Sequence, residues 1–260
     1  GLMLTISEAL EKANKNTLLI SVDNHKDSLA ISRSVLDKVK NKVIIDHHRR
    51  SEELIYSPVL TYEEPSASST VELLVELFDY QQHEIEISSL DATIMYTGML
   101  VDTNYFRQHV GTRTFQSAAK LKEAQADLSL AYELLEDSFE CMKEIFDITE
   151  SAYRYKDKFL IATGKDEELS RSTLAKAANQ LVYVSGIYAA FAIGYISKNT
   201  VAISARSSKK VNVQMIMEND ALHGGGHFSM AACQIENVTI EEAKERLEHA
   251  IDAYLEDRGV

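Results

Sequence analysis

The chain's 260 residues are 45% hydrophobic and 26% charged, and they carry a net charge of −13. That length supports one large or two medium domains with a substantial core. The acidic balance excludes a sequence-independent coat for duplex nucleic acid, which needs a broad basic face. Two cysteines, Cys141 and Cys233, exclude a disulfide framework and point to a reducing, cytoplasmic setting. No apolar run reaches membrane-spanning length and no signal-peptide pattern opens the chain, so no membrane contact is expected of it.

In chain order, "ISEALEKAN" (6–14) is amphipathic, "TLLISV" (17–22) is an apolar strand, and "SLAISRSVLDKV" (28–39) has helical spacing with Ser28 as its N-cap. "KVIID" (42–46) is the next strand, and short apolar strands alternating with helices predict a parallel α/β sheet. Residues 66–148 read as mostly helical. Their last segment carries the stripe Leu134, Leu135, Phe139, Met142, Ile145 and Phe146, expected to be helical core. The pattern then changes. "YRYKDKFLIATG" (153–164) reads as a strand, "LSRSTLAKAANQLV" (169–182) as a helix, and "IYAAFAIGYI" (187–196) and "TVAISAR" (200–206) as strands. A Gly-rich loop follows, and the closing helix starts at Thr239 with Glu242 three residues on, a capping box. The expected fold is therefore α/β in two lobes. An N-terminal parallel-sheet lobe covers residues 1–150, and a smaller C-terminal α/β lobe covers 151–260.

The polar groups that end the strands carry the chemistry. Asp23 and His25 follow "TLLISV"; Asp46, His47 and His48 follow the apolar "VII"; Asp102 follows the apolar run "IMYTGMLV". In an open parallel sheet, ligands bind outside the carboxyl ends of the strands, so these groups are expected to converge. Carboxylates with imidazole and no cysteine suit Mn²⁺, with Mg²⁺, Co²⁺ or Zn²⁺ as alternatives. A lone Asp after a strand is more often a turn or cap. Adjacent Asp-His-His, repeating a Val-Asp-x-His ending two dozen residues earlier, favours metal or phosphate chemistry.

Val22-Asp23-Asn24-His25, Asp46-His47-His48, the run Gly98 to Phe106 and Gly224-Gly225-Gly226-His227, taken in order, resemble the DHH phosphoesterase superfamily with its DHH-associated C-terminal domain. "EPSASSTVELL" (64–74) and "ISARSSKKVNVQ" (203–214) resemble its GdpP-type branch, the cyclic-di-AMP phosphodiesterases. The resemblance implies a two-metal centre in which Asp23 bridges the ions and His47 and Asp102 serve the second one. It implies that His48 lies close to the reacting phosphate and that Asp46 orients the histidines as a catalytic support; His25 ranks below them as a ligand. The family's opening H-x-N-P-D-x-D-A motif is absent from these 260 residues. At most one ion, weakly held, and turnover near background are therefore expected of this chain by itself.

The far nucleotide needs a separate grip. Gly224, Gly225 and Gly226 offer backbone N–H groups that approach a phosphate without Cβ obstruction. Arg206 and His227 are the side-chain partners, Arg206 as a bidentate clamp, with Ser204 and Asn212 as weaker candidates. The implied activity is metal-dependent hydrolysis of cyclic di-AMP to linear pApA. Removal of nucleotides from short oligoribonucleotides, with 3′-phosphoadenosine phosphate phosphatase activity, is the alternative within the enzyme class. A nucleotide-binding module without turnover is the alternative outside it. The resemblance also implies a membrane-anchored parent with this part on the cytosolic side. A homodimer is the default oligomer.

Overall fold

The computed structural model describes residues 3–50, 53–81, 86–208 and 210–257. Lys209, within the 203–214 stretch, lies outside them. The chain forms two compact units, Gly1–Glu136 and Asp137–Val260. The helix at 139–150, read from sequence as part of the N-terminal lobe, thus belongs to the second unit. It packs on the next helix and on the first long strand there.

The first unit opens with α1 (Ile6–Lys12), started by Thr5 and Glu8 in a capping box. Strands β1 (Leu18–Val22), β2 (Asn41–Asp46) and β3 (Leu60–Glu63) form a parallel sheet in sequence order. The register pairs Ile20 with Val43 and Val22 with Ile45, so β1 and β2 end side by side. Helix α2 (Arg33–Lys38) is capped by Ser32 rather than Ser28. Ser28 lies in a short 3-10 turn and gives its N–H and hydroxyl to the Glu53 carboxylate, both at 2.8 Å; a side chain so engaged cannot cap. Leu36 of α2 meets Ile44 and Ile55 on one face of the sheet. On the other face, Ile45 meets Ala67 and Leu73 of α3 (Thr70–Phe78). A separate helical core follows, in which Ala92, Met99 and Leu100 of α4 (Ser89–Asp102) pack with Leu121 of α5 (Thr112–Glu123) and Ala131 of α6 (Leu128–Glu133).

The second unit is a six-stranded mixed sheet between helices. Helix α7 (Phe139–Glu150) leads into β4 (Tyr153–Tyr155) and β5 (Phe159–Glu168), an antiparallel hairpin in place of the single expected strand. The chain reverses through Lys156 and Asp157, both in the left-handed region (φ 45° and 58°), the backbone of a tight hairpin turn. Helix α8 (Arg171–Val182) crosses to β6 (Ala189–Ser197), parallel to β5; β7 (Thr200–Ser207) returns antiparallel. After α9 (Val213–Met217), the two-residue β8 (Gly225–Gly226) and β9 (Met230–Glu236) complete the order β4-β5-β6-β7-β9-β8, and α10 (Ile240–Glu256) closes the unit. Phe159, Phe191, Ile203 and Cys233 face α9 and α10; Leu160, Ala190, Ala192 and Ala202 face α7 and α8. The small residues on that second face let the helices sit close.

Of the stripe from Leu134 to Phe146, which runs from the end of α6 into α7, only Ile145 is buried. Phe139, Met142 and Phe146 are exposed, because α7 docks through Ile145 and Ile148. Among the described residues no helix is long and apolar enough to cross a membrane.

Candidate metal and phosphate site

The parallel register delivers the first group. Asp23 N–H donates to the Ile45 carbonyl at 2.9 Å, which carries the β1–β2 pairing one residue past the strand. Asp23 then takes a left-handed backbone (φ 62°), and the chain turns away. Ser21 Oγ donates to the Asn24 carbonyl at 2.6 Å and holds that turn.

Asp46, at the end of β2, is fully buried and collects three hydrogen bonds. They come from His48 N–H at 3.0 Å, from His48 Nδ1 at 2.7 Å and from the ring of His25, which is itself buried. Burial alone would raise the Asp46 carboxyl, but these bonds together hold it well below the usual carboxylate range. In return, Asp46 raises His48 above the ordinary imidazole value, assisted by Asp23 and Asp102 and opposed by burial. His25 is thus the far partner of Asp46, not a member of the cluster around His47.

His47 Nδ1 lies 3.3 Å from the Ala67 carbonyl, which accepts its proton and turns Nε2 inward. That Nε2 is buried with no hydrogen-bond partner. It sits 3.5 Å from Asp23 Oδ1 and 3.9 Å from Asp102 Oδ2. Asp23, His47 and His48 each bring one donor atom within 4.8 Å of the others. A lone-pair nitrogen aimed between two carboxylates fits a divalent cation and fits little else.

Asp102 arrives at the last residue of α4, whose buried Met99 and Leu100 fix the end of the helix. Burial, with repulsion from Asp23, pushes its carboxyl up to about 6 although His47 and His48 oppose the shift. Beyond it the chain makes an unusual left-handed turn, with Asn104, Tyr105 and Phe106 all at positive φ. Each such residue costs about 1–2 kcal/mol. Thr103 offsets the turn: its hydroxyl donates to the Met99 carbonyl at 2.6 Å and accepts from Phe106 N–H at 3.0 Å.

In the second unit, Arg206 on β7 reaches Asn179 Oδ1 at 3.1 Å and the Ala205 carbonyl at 2.9 Å. Among the described residues it has no carboxylate partner. Burial lowers its pKa, yet at neutral pH it remains a cation. Ser204, Ala232 and Gly225 lie in one cross-strand row through β7, β9 and β8, with Arg206 and Met230 in the next row on the same face. The three glycines differ. A Cβ at Gly224 would lie 2.6 Å from the Ala232 carbonyl oxygen, and one at Gly226 (φ 148°) 2.4 Å from that of Met230. A Cβ at Gly225 would meet open space. Packing therefore explains two glycines and leaves Gly225 as the place where something outside the chain can approach. His227 is exposed, with its backbone tied to Met230. Asn212 caps α9, its side chain accepting from Gln214 N–H at 3.1 Å. That role accounts for Asn212 locally.

Residues 4–99 match the DHH family N-terminal domain and residues 156–257 the DHHA1 domain. The chain carries a DHH domain followed by a DHHA1 domain. It is 41% identical over 256 residues to the cyclic-di-AMP phosphodiesterase GdpP of Bacillus subtilis, and 43% identical over 253 residues to the cyclic-di-AMP phosphodiesterase PdeA of Listeria monocytogenes. Each match covers 97% of this chain and 38% of the relative, so the chain spans well under half of those proteins. A solved structure of an exopolyphosphatase-related protein from Bacteroides fragilis superposes with a TM-score of 0.80 at 21% identity, over 91% of this chain and 71% of that one. This likeness is one of fold.

The sequence pointed to every side chain in the His47 cluster. It did not point to the Ala67 carbonyl, or to the Thr70 hydroxyl that donates to Asp23 Oδ1 at 2.7 Å. Neither has a spacing signature, since Thr70 and Asp23 are 47 residues apart.

Proposed function

We propose that the chain supplies the hydrolytic and substrate-gripping parts of a metal-dependent phosphodiesterase that opens cyclic di-AMP to linear pApA. The observation that carries this reading is the unpartnered, buried His47 Nε2 between the carboxylates of Asp23 and Asp102, in a chain more than 40% identical to named cyclic-di-AMP phosphodiesterases.

Asp23, His47 and Asp102 would hold one divalent cation; a donor set of carboxylates and imidazole suits Mn²⁺, with Mg²⁺ or Co²⁺ as substitutes. Such a cation neutralises phosphodiester charge and lowers the pKa of a nearby water. Asp46 keeps His48 oriented and its imidazolium favoured, so His48 is suited to protonate the ribose oxygen that leaves as water attacks phosphorus and the P–O bond to the ribose breaks, the attacking water losing its proton to solvent. With Nδ1 committed to Asp46, that transfer runs through Nε2. In the second unit, Arg206 and the Gly225 backbone would bind a phosphate, with His227 at the exposed rim. Two relatives named as membrane protein–large ribosomal subunit bL9 fusion proteins support a parent anchored in a membrane, and the free thiols of Cys141 and Cys233 suit its cytosolic side.

The test is product analysis with Mn²⁺ at high protein concentration, because three donors imply slow turnover. Conversion of cyclic di-AMP to pApA should be abolished by EDTA and by His47→Ala. Arg206→Ala should weaken cyclic-di-AMP binding and leave Mn²⁺ binding intact. Turnover indifferent to His47→Ala and EDTA, or no binding of cyclic di-AMP, would overturn the reading.

A further inference from the structure

Asp23 is poorly held for a group at the centre of a site. Its backbone is left-handed and its side chain is half exposed. Among the described residues only one group donates a hydrogen bond to its carboxylate, the hydroxyl of Thr70 at 2.7 Å. The oxygen that Thr70 holds, Oδ1, is the one that faces His47 Nε2 at 3.5 Å and His48 Nδ1 at 3.8 Å. Three residues before Thr70, the Ala67 carbonyl sets the tautomer of His47. One short loop thus touches two of the site's side chains.

The loop is itself fixed. Every hydroxyl in 66–70 has a hydrogen-bond partner. Ser66 Oγ donates to Glu64 at 2.7 Å, Ser68 Oγ donates to Glu72 at 2.7 Å, and Ser69 Oγ accepts from Glu72 N–H at 3.3 Å as the cap of α3. The cap is taken by Ser69, so the Thr70 hydroxyl is not needed to start the helix. Glu72 is buried and also accepts from Thr114 Oγ1 at 2.8 Å, with Arg113 Nε 3.5 Å from its other oxygen. A buried carboxylate bound from the loop and from α5 is a rigid anchor. From that anchor the chain runs directly to Ala67 and Thr70.

We infer that Thr70 is a positioning residue: its hydroxyl fixes the Asp23 side chain in the one rotamer that presents Oδ1 to His47, and the 64–70 loop aligns both groups from the Glu72 anchor. A half-exposed carboxylate otherwise samples several staggered states, and selecting one on binding costs affinity. The consequence for metal affinity rests on the site reading above; the rotamer claim stands without it.

The experiment uses the metal-free 260-residue chain, its Thr70→Val and Thr70→Ser variants, and Thr70→Ala should the valine not fold. Side-chain scalar couplings measured by NMR report the χ1 populations of Asp23. Wild type and Thr70→Ser should show a single rotamer, and Thr70→Val an average. Mn²⁺ titration followed by EPR should then give roughly tenfold weaker binding for Thr70→Val and near-native binding for Thr70→Ser, the order expected for one hydrogen bond to a charged group. An Asp23 rotamer unchanged in folded Thr70→Val, or already averaged in wild type, overturns the inference. Fixed and averaged rotamers as expected, with no Mn²⁺ bound by any of the proteins, would support the positioning and remove the metal reading.

Discussion

The two units use their sheets differently. In the second, six strands lie between helices on both faces, and Phe191, Ile193 and Ile203 are fully buried. In the first, two of the three strands, β1 and β2, end in a cluster of ionisable groups, and the outer strand β1 leaves Leu18, Ile20 and Val22 about half exposed. The second unit buys its rigidity from packing. The first relies on a few directed hydrogen bonds, several of them to charged groups, and accepts left-handed backbone at Asp23 and from Asn104 to Phe106. Stability and chemistry are thus concentrated in different places, as expected where a site needs unpaired donors that a core cannot tolerate.

The largest expected effect breaks the packed side of this contrast. Phe191→Ala should destabilise the second unit by about 3–5 kcal/mol, the cost of a large cavity in a tight core. Val22→Ala, on the exposed face of β1, should cost well under about 1 kcal/mol. Urea unfolding followed by probes placed in each unit measures both, and a comparable loss at the two positions would erase the distinction.

Next comes the anchor of the first unit. Glu72→Gln keeps the size of the side chain and removes its charge. It should cost about 1–3 kcal/mol through the weakened bonds from Ser68 and Thr114 and the lost charge opposite Arg113. The same denaturation curves report it, and the second unit's transition should not move.

The pH response should separate the units by window. In the metal-free chain the folded pKa of Asp102, about 6, exceeds its unfolded value, so its contribution is present below about pH 4 and lost as pH rises through 6. His48 is raised as well and acts in the same direction. Depressed Asp46 has the opposite sign, but its contribution disappears only below about pH 4. The first unit should therefore gain about 1 kcal/mol between pH 7.5 and 5. In the second unit burial pushes the Cys233 thiol up to about 12, and burial with Asp252 does the same for Tyr155. Their contributions hold below about pH 9 and fade towards 12. Thermal midpoints of the two transitions from pH 5 to 11 check both signs.

The smallest stability effect sharpens the comparison within the glycine run. Gly225→Ala should change stability by less than about 0.5 kcal/mol, since its Cβ meets open space. Gly226→Ala should be clearly destabilising because its Cβ would lie 2.4 Å from a carbonyl oxygen. If Gly225→Ala nonetheless weakens cyclic-di-AMP binding in calorimetry, the open glycine is a contact for ligand; unchanged affinity would remove it from the site.

The sequence by itself determined the strands that end at Val22 and Asp46, the acids and histidines at those ends, and the helix start at Thr239. Each is written in a few adjacent residues: an apolar run stopped by a polar one, or a capping side chain three positions from its partner. Tertiary structure alone decided the rest. The Lys156-Asp157 turn carries no glycine to announce a hairpin. Ser28 is a good cap until Glu53, 25 residues away, claims its hydroxyl. Phe139, Met142 and Phe146 have core spacing, but α7 docks through the neighbouring Ile145–Ile148 line. The Thr70–Asp23 bond and the Ala67 contact that turns His47 inward join residues 47 and 20 positions apart. Periodicity reports which face of an element is apolar. It cannot report which distant polar group will meet it, because that depends on how separate elements pack.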